Sequence, residues 1–229
     1  MAGEVEQRTD MWDKQRLGKF TASEIHKLMK IPKSKADTFA EASYTYILEK
    51  VSEVLTGFAP VKNGEALVWG IEQEATAKKW FARITGKTIE EKGFISYTDH
   101  SGGSPDGVVE DGIIEIKCPW NTVNHIKHIM DSNNFRSNFP EYYWQMQMNM
   151  LVTGKDKAYF ISFDPRIDEE SGMFIKEIVR DQADIDLMIK KIEEATEAKI
   201  SILNKLYGNT EEIHKGDSES GSDAVRRDS

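Results

Sequence analysis

Ser104-Pro-Asp-Gly-Val-Val-Glu-Asp-Gly-Ile-Ile-Glu-Ile-Lys-Cys-Pro119 decides the reading of this chain. Asp111-Gly112 suits the central pair of a tight hairpin turn. With that turn Glu110 pairs with Ile113, Val108 with Glu115, and Asp106 falls opposite Lys117. Side chains alternate across a strand, so Asp106, Glu115 and Lys117 share one face. Ile114, Ile116 and Cys118 then point to the opposite, apolar face. A one-residue slip would scatter the polar set, so the expectation leans on the turn.

Two carboxylates and a lysine on one face of an otherwise apolar strand are costly to bury without a purpose. Oxygen ligands at this spacing suit Mg²⁺ or Mn²⁺, which keep several waters and accept phosphate oxygens. A lysine beside them orients or deprotonates the attacking water, or stabilises charge developing on phosphorus. Spacing alone is equally compatible with an exposed ion pair on a solvated sheet face.

Outward from this stretch the chain changes period. Upstream it reads as helical: about 22–29, opened by a capping box at Thr21-Ala-Ser-Glu24; 39–55, ended by Thr56-Gly57; and 64–85, ended by Gly86. Phe94-Ile-Ser-Tyr97, Gly107-Val-Val109 and Ile113–Cys118 read as strands. Pro140 opens a helix to about Val152, closed by Gly154. Strands at Ala158–Phe163 and Phe174–Val179 and a helix from about Ala183 to Leu206 follow. The expected fold is α/β (α+β), a central mixed sheet flanked by helices. We expect one domain over 1–208 and a disordered acidic tail over 209–229.

The 229 residues carry a net charge of −9, which argues against a sequestering DNA coat but not against a local basic groove. No apolar run reaches membrane-spanning length, the first residues carry no secretory signal, and Cys118 is the single cysteine. These features place the chain in a reducing cytoplasm, without a membrane. His125 and His128 lack a third ligand for zinc. No phosphate-cradling glycine loop is present, and Met146, Met148 and Met150 read as packing residues.

Pro105-Asp106 followed by Glu115-Ile-Lys117 resembles the PD-(D/E)XK nuclease signature, and the flanks narrow the match. Trp12…Arg16-Leu-Gly18…Thr21-Ala-Ser-Glu24, Trp69-Gly70…Glu74, Ser104–Gly107, Glu115–Pro119 and Gln145…Gln147 resemble, in order, the lambda-type phage recombination exonucleases of the YqaJ-like group. The resemblance runs from Trp12 to the last helix.

It implies a restriction-endonuclease-like core and a Mg²⁺-dependent 5′→3′ exonuclease on linear double-stranded DNA. Such an enzyme releases 5′-mononucleotides and leaves 3′ single strands. The resemblance also implies a ring-shaped homotrimer and a phage single-strand annealing protein as partner, in the cytoplasm of a bacterial host.

By the same carry-over Asp106, Glu115, Glu74 and the carbonyl of Ile116 hold the metal, with Lys117 and Gln145 beside it. Arg16, Ser23 and Ser104 bind the 5′-phosphate, Leu67 wedges the duplex and Lys33 lies near the DNA groove. From the residues alone, Glu74 would pair with Lys78 at i+4, Leu67 would pack the core, and Gln145 and Asn149 would be buried amides. The rival readings are a structure-specific endonuclease of the same fold and a non-catalytic DNA-end-binding protein.

Overall fold

The computed structural model describes residues 7–60, 63–168 and 170–219, with backbone alone beyond 208. Its helices are α1 (Asp10–Arg16), α2 (Glu41–Thr56), α3 (Glu65–Thr85), α4 (Thr122–Met130), α5 (Phe135–Asn138), α6 (Pro140–Thr153) and α7 (Gln182–Glu219). Its strands are β1 (Phe20–Thr21), β2 (Ile95–Thr98), β3 (Ser101–Gly103), β4 (Gly107–Val109), β5 (Gly112–Lys117), β6 (Lys157–Phe163) and β7 (Met173–Val179).

The strands form two sheets, one more than the sequence reading anticipated. A mixed four-stranded sheet has the order β4-β5-β6-β7, and a small sheet the order β1-β3-β2. In the larger sheet β5 runs parallel to β6, while β4 and β7 are antiparallel edges. Glu115 therefore sits on an inner strand, whereas Asp106 lies just beyond the end of an edge strand.

Helix α6 packs against both sheets. Every residue from Tyr143 to Met150 is buried, so the helix has no solvent face to show as amphipathic periodicity. Met146, Met148 and Met150 belong to the core on this side, with Phe20, Ile25, Tyr46 and Phe160. Helix α3 covers the other face of the large sheet, where Ile114, Ile116 and Cys118 meet Ala77 and Phe81. The expected division of strand β5 into a polar and an apolar face holds.

The hairpin register differs from the expectation. Val109 pairs with Gly112 and Val108 with Ile113, so Glu110 and Asp111 form the turn. Gly112 serves a different purpose: a Cβ there would stand 2.6 Å from the carbonyl oxygen of Lys157. The glycine permits close approach of β6 instead of a left-handed turn. Asp111 is anchored in the turn by Lys87 at 2.8 Å and by the Tyr159 hydroxyl at 2.6 Å. The partner of each β4 residue shifts by two, an even step, so the faces survive.

The capping box does not form. Ala22–Lys27 is a short 3₁₀ turn and Thr21 makes no side-chain cap bond. Thr21 is instead drawn into the small sheet, and its N–H donates to the Tyr46 hydroxyl at 2.9 Å. Helix α7 continues past Gly208 to Glu219; residues 220–229 of the expected tail lie outside the described residues. Among the described residues no helix is long and apolar enough to cross a membrane.

Candidate active site

Strand β5 delivers Glu115 and Lys117 to the α6 face. Glu115 is fully buried. Lys117 Nζ donates to Glu115 Oε1 at 2.7 Å and to Gln145 Oε1 at 3.3 Å, and lies 5.0 Å from the Tyr142 ring centre. Asn149, one turn after Gln145 on α6, donates its amide to Glu115 Oε2 at 3.3 Å. Both amides thus belong to the site. The side-chain oxygen Oδ1 of Asn149 is buried without a hydrogen-bond partner. Where β4 has diverged, Asp106 Oδ2 accepts the N–H of Ile116 at 2.6 Å, standing in for a ladder bond.

The carboxyls here crowd one another. Burial, then the Glu115 and Glu74 carboxylates, push Asp106 up to about 8. Burial also raises Glu115, against the pull of Lys117. Burial works to lower Lys117, but Glu115 and Asp106 outweigh it and hold the ammonium above its ordinary range. Lys117 is thereby a charged donor beside carboxyls whose ionisation burial disfavours.

Among the described residues no three His, Cys, Asp or Glu side chains gather closely enough to hold an ion by themselves. Glu74, on α3, is engaged by Lys78 at 3.0 Å, the i+4 pair expected from spacing, and by Arg8, which spacing did not announce. The hard donors that could hold an ion are Asp106 and Glu115, with the Ile116 carbonyl added by the family resemblance. That set fits Mg²⁺, which takes one or two carboxylates and completes its shell with water and phosphate. Arg8 is the one non-glycine residue of positive φ among those described, at 65°. Gln7 pins this bend, donating to the carbonyls of Lys92 at 2.7 Å and Pro105 at 2.8 Å.

The second half of the site is built around Trp12, which the sequence reading used only as a motif landmark. Arg16 at the end of α1 lies 3.8 Å over the Trp12 ring, and Trp12 Nε1 donates to Ser104 Oγ at 3.1 Å. Burial lowers the Arg16 pKa from its ordinary value. Ser23 is exposed on the 3₁₀ turn, 3.4 Å from Thr21 Oγ1 and next to Glu24, whose carboxylate acts on Arg16.

The loop after Arg16 is clamped. Gly18 N–H donates to Glu53 Oε2 at 2.8 Å, and Gly18 O accepts from Lys199 Nζ at 2.7 Å. Glu53 also holds Lys50 at 2.6 Å. Gly18 has a φ of 69°, and a Cβ there would meet Val54 at 2.6 Å, so glycine is required on both counts.

A cavity of about 500 Å³ opens beside the carboxylates, walled by Arg8, Leu67, Asp106, Glu115, Lys117 and Gln145 among others. Leu67 is 45% exposed on this wall, which removes the core-packing reading. Lys33 is exposed on the loop before α2, with no link to the cavity walls. His125 and His128 are buried and both approach Ser162 Oγ at 2.8 Å, a structural cluster. Burial pushes the Cys118 thiol up to about 12, which leaves it unreactive.

Sequences of curated proteins give no match to this chain. Solved structures do. An alkaline exonuclease from Laribacter hongkongensis, LHK-Exo, is 30% identical with a TM-score of 0.79, over 90% of this chain and 100% of that one. The same enzyme in complex with dAMP aligns at 32% identity and a TM-score of 0.80, with the same coverage. A phage-related exonuclease from Haemophilus somnus shares the fold at 21% identity and a TM-score of 0.69, over 84% of this chain and 96% of that one. The YqaJ-like viral recombinase domain matches residues 11–156, a span holding both halves of the site. By that match and by the LHK-Exo likeness, the chain belongs to the YqaJ-like viral recombinase family.

Proposed function

We propose that the chain is a Mg²⁺-dependent exonuclease that degrades one strand of linear duplex DNA from a 5′-phosphorylated end. The observation that carries the reading is the juxtaposition of Asp106, Glu115, Lys117 and Gln145 on one cavity, two residues along the chain from Ser104 and its Trp12–Arg16 stack. The names of the related structures, alkaline and phage-related exonucleases, support the same class of activity.

Asp106, Glu115 and the Ile116 carbonyl would hold the ion, with Glu74 beside them. When bound, Mg²⁺ polarises the phosphoryl group and lowers the pKa of a bound water. Lys117, held in its charged form by Glu115, donates to the attacking water or to the phosphoryl oxygen and offsets the charge that develops there. Gln145 limits the lysine to one position. Water attacks phosphorus and the P–O3′ bond breaks. The departing nucleotide keeps its 5′-phosphate and leaves with a 3′-hydroxyl. Arg16 and Ser104, aligned through Trp12, would receive the terminal phosphate together with Ser23, and a guanidinium recognises it by paired hydrogen bonds.

In the biological setting we propose, a ring of three copies prepares 3′ single strands for a phage-encoded annealing protein, in the cytoplasm of a bacterial host. Mn²⁺ is expected to replace Mg²⁺.

Linear duplex labelled at either end of one strand, with a 5′-phosphate or 5′-hydroxyl, tests the reading in Mg²⁺ and in EDTA. Early mononucleotide release from the phosphorylated 5′ end, in Mg²⁺ alone, is expected. Release from the 3′ end would refute the Arg16, Ser23 and Ser104 assignment. Cutting of closed circles would point to an endonuclease. No cleavage by folded protein would leave an end-binding role.

A further inference from the structure

Trp120 lies three residues beyond Lys117, at the point where the chain leaves the catalytic strand. It is 49% exposed and forms part of the wall of the cavity that holds Asp106, Glu115 and Lys117. Single exposed apolar residues are ordinary on protein surfaces. This one is unusual in how firmly it is held.

Arg166 donates to the carbonyl oxygens of Trp120 at 3.0 Å and Pro119 at 3.1 Å. The same guanidinium grips both oxygens of Asp164 at 2.8 Å. Asp164 is fully buried and also accepts from the Thr122 hydroxyl at 2.8 Å. The Trp120 ring stands edge-on to Trp69, with centres 5.6 Å apart, and Arg166 covers Trp69 at 4.7 Å. An exposed Arg166 anchored on the buried Asp164 therefore fixes the backbone beneath Trp120, and a second tryptophan stands against its ring. The ring of Trp120 is only half packed.

The same wall carries Asn121 and Asn124, both exposed. Asn121 spends its carbonyl oxygen on the N–H of Val123 at 2.9 Å, which turns its amide N–H₂ away from that cap. A rigid aromatic surface flanked by amide groups, sharing a cavity with a phosphate-hydrolysing centre, has the chemistry of a nucleobase seat. Stacking serves every base alike, because each has a π face.

We infer that Trp120 is the platform on which the base of the nucleotide at the scissile phosphate stacks, with Asn121 and Asn124 at the edge of that base. The inference rests on reading the cavity as a nuclease site. It adds a base-binding contact to a site otherwise made for phosphate and metal. Because the ring is fixed in advance, little ordering entropy is lost when the base arrives.

Calorimetric titration of the full chain in Mg²⁺ tests this, with dAMP and with deoxyribose 5-phosphate, which lacks the base. The wild type is expected to bind dAMP roughly tenfold more tightly, the size of one base–aromatic stack. Trp120→Ala should erase that ratio, and Trp120→Phe should keep most of it while preserving the fold. In parallel, 2-aminopurine at the 5′-terminal position of a duplex should be quenched on binding by wild type and by Trp120→Phe, and not by Trp120→Ala.

Equal binding of the two ligands by wild type, or an unchanged ratio and quench in Trp120→Ala, would overturn the inference. So would a Trp120→Ala variant whose only change is its sedimentation, since the ring would then serve a protein contact. The binding ratio needs no turnover, so a chain that stacks dAMP but cuts no DNA would sink the nuclease reading alone.

Discussion

The two halves of the site are built on opposite electrostatic principles. At the carboxylate end, Asp106, Glu115 and Glu74 crowd one another, and Asp106 is pushed up to about 8. At the Arg16 end, the guanidinium rests on Trp12, Trp12 on Ser104, and both polar groups of Gly18 are taken by Glu53 and Lys199. In the first half burial and crowding keep a carboxyl from ionising readily, and the second is satisfied by its own scaffold. The contrast fits the proposed division of labour, with chemistry at the crowded carboxylates and recognition of the chain end at the pre-set Arg16 half.

The largest effect is expected where the carboxyls crowd. Lys117→Gln keeps a donor for Glu115 but loses the charge, and should lower cleavage on the order of 10²–10³-fold. Melting temperature and duplex binding in EDTA should change little. A variant that cleaves at the wild-type rate would break the assignment of Lys117.

An intermediate effect should appear in stability against pH. Asp106 has its pKa raised on folding, from the ordinary carboxylate range near 4 to about 8. The folded state binds the extra proton, so this contribution is complete below about pH 4 and is lost as pH rises through about 8. Thermal melts in EDTA should therefore fall between pH 6 and 9, and Asp106→Asn should flatten that slope. Mg²⁺, which binds the carboxylate form, should stabilise more at pH 9 than at pH 6. A slope that survives Asp106→Asn would place the raised carboxyl elsewhere.

The smallest effect belongs to the clamp. Lys199→Met removes the donor to Gly18 O while filling its space. An unmet carbonyl costs about 1–3 kcal/mol, so the preference for a 5′-phosphate over a 5′-hydroxyl should fall about fivefold. Burial and neighbouring Lys50 already lower Lys199 to about 8, and the variant should melt only a few degrees below the wild type. Loss of turnover on both kinds of end would erase the distinction between the two halves.

The carboxylate half was legible in the chain because a strand writes its faces at every second residue. Even the misplaced turn did no harm, since the register moved by an even step. The clamped half was legible only through resemblance to known families. Helix α1 buries none of its residues, while α4 carries an apolar stripe that it exposes at Val123, Ile126 and Met130 and buries His125 and His128 instead, so neither pattern marks the core. Strand β3 is Ser101-Gly102-Gly103, with almost no side chains to alternate.

By itself the sequence determined the polar and apolar faces of β5, the glycine-ended helices α2, α3 and α6, and the family. These rest on local periodicity and local backbone preference. Only the tertiary structure decided that Gly112 admits β6 and that Thr21 joins a sheet instead of capping a helix. It alone joined Trp12 to Ser104 across 92 positions and Lys199 to Gly18 across 181. Such contacts arise from packing between distant elements, which no local pattern in the chain encodes.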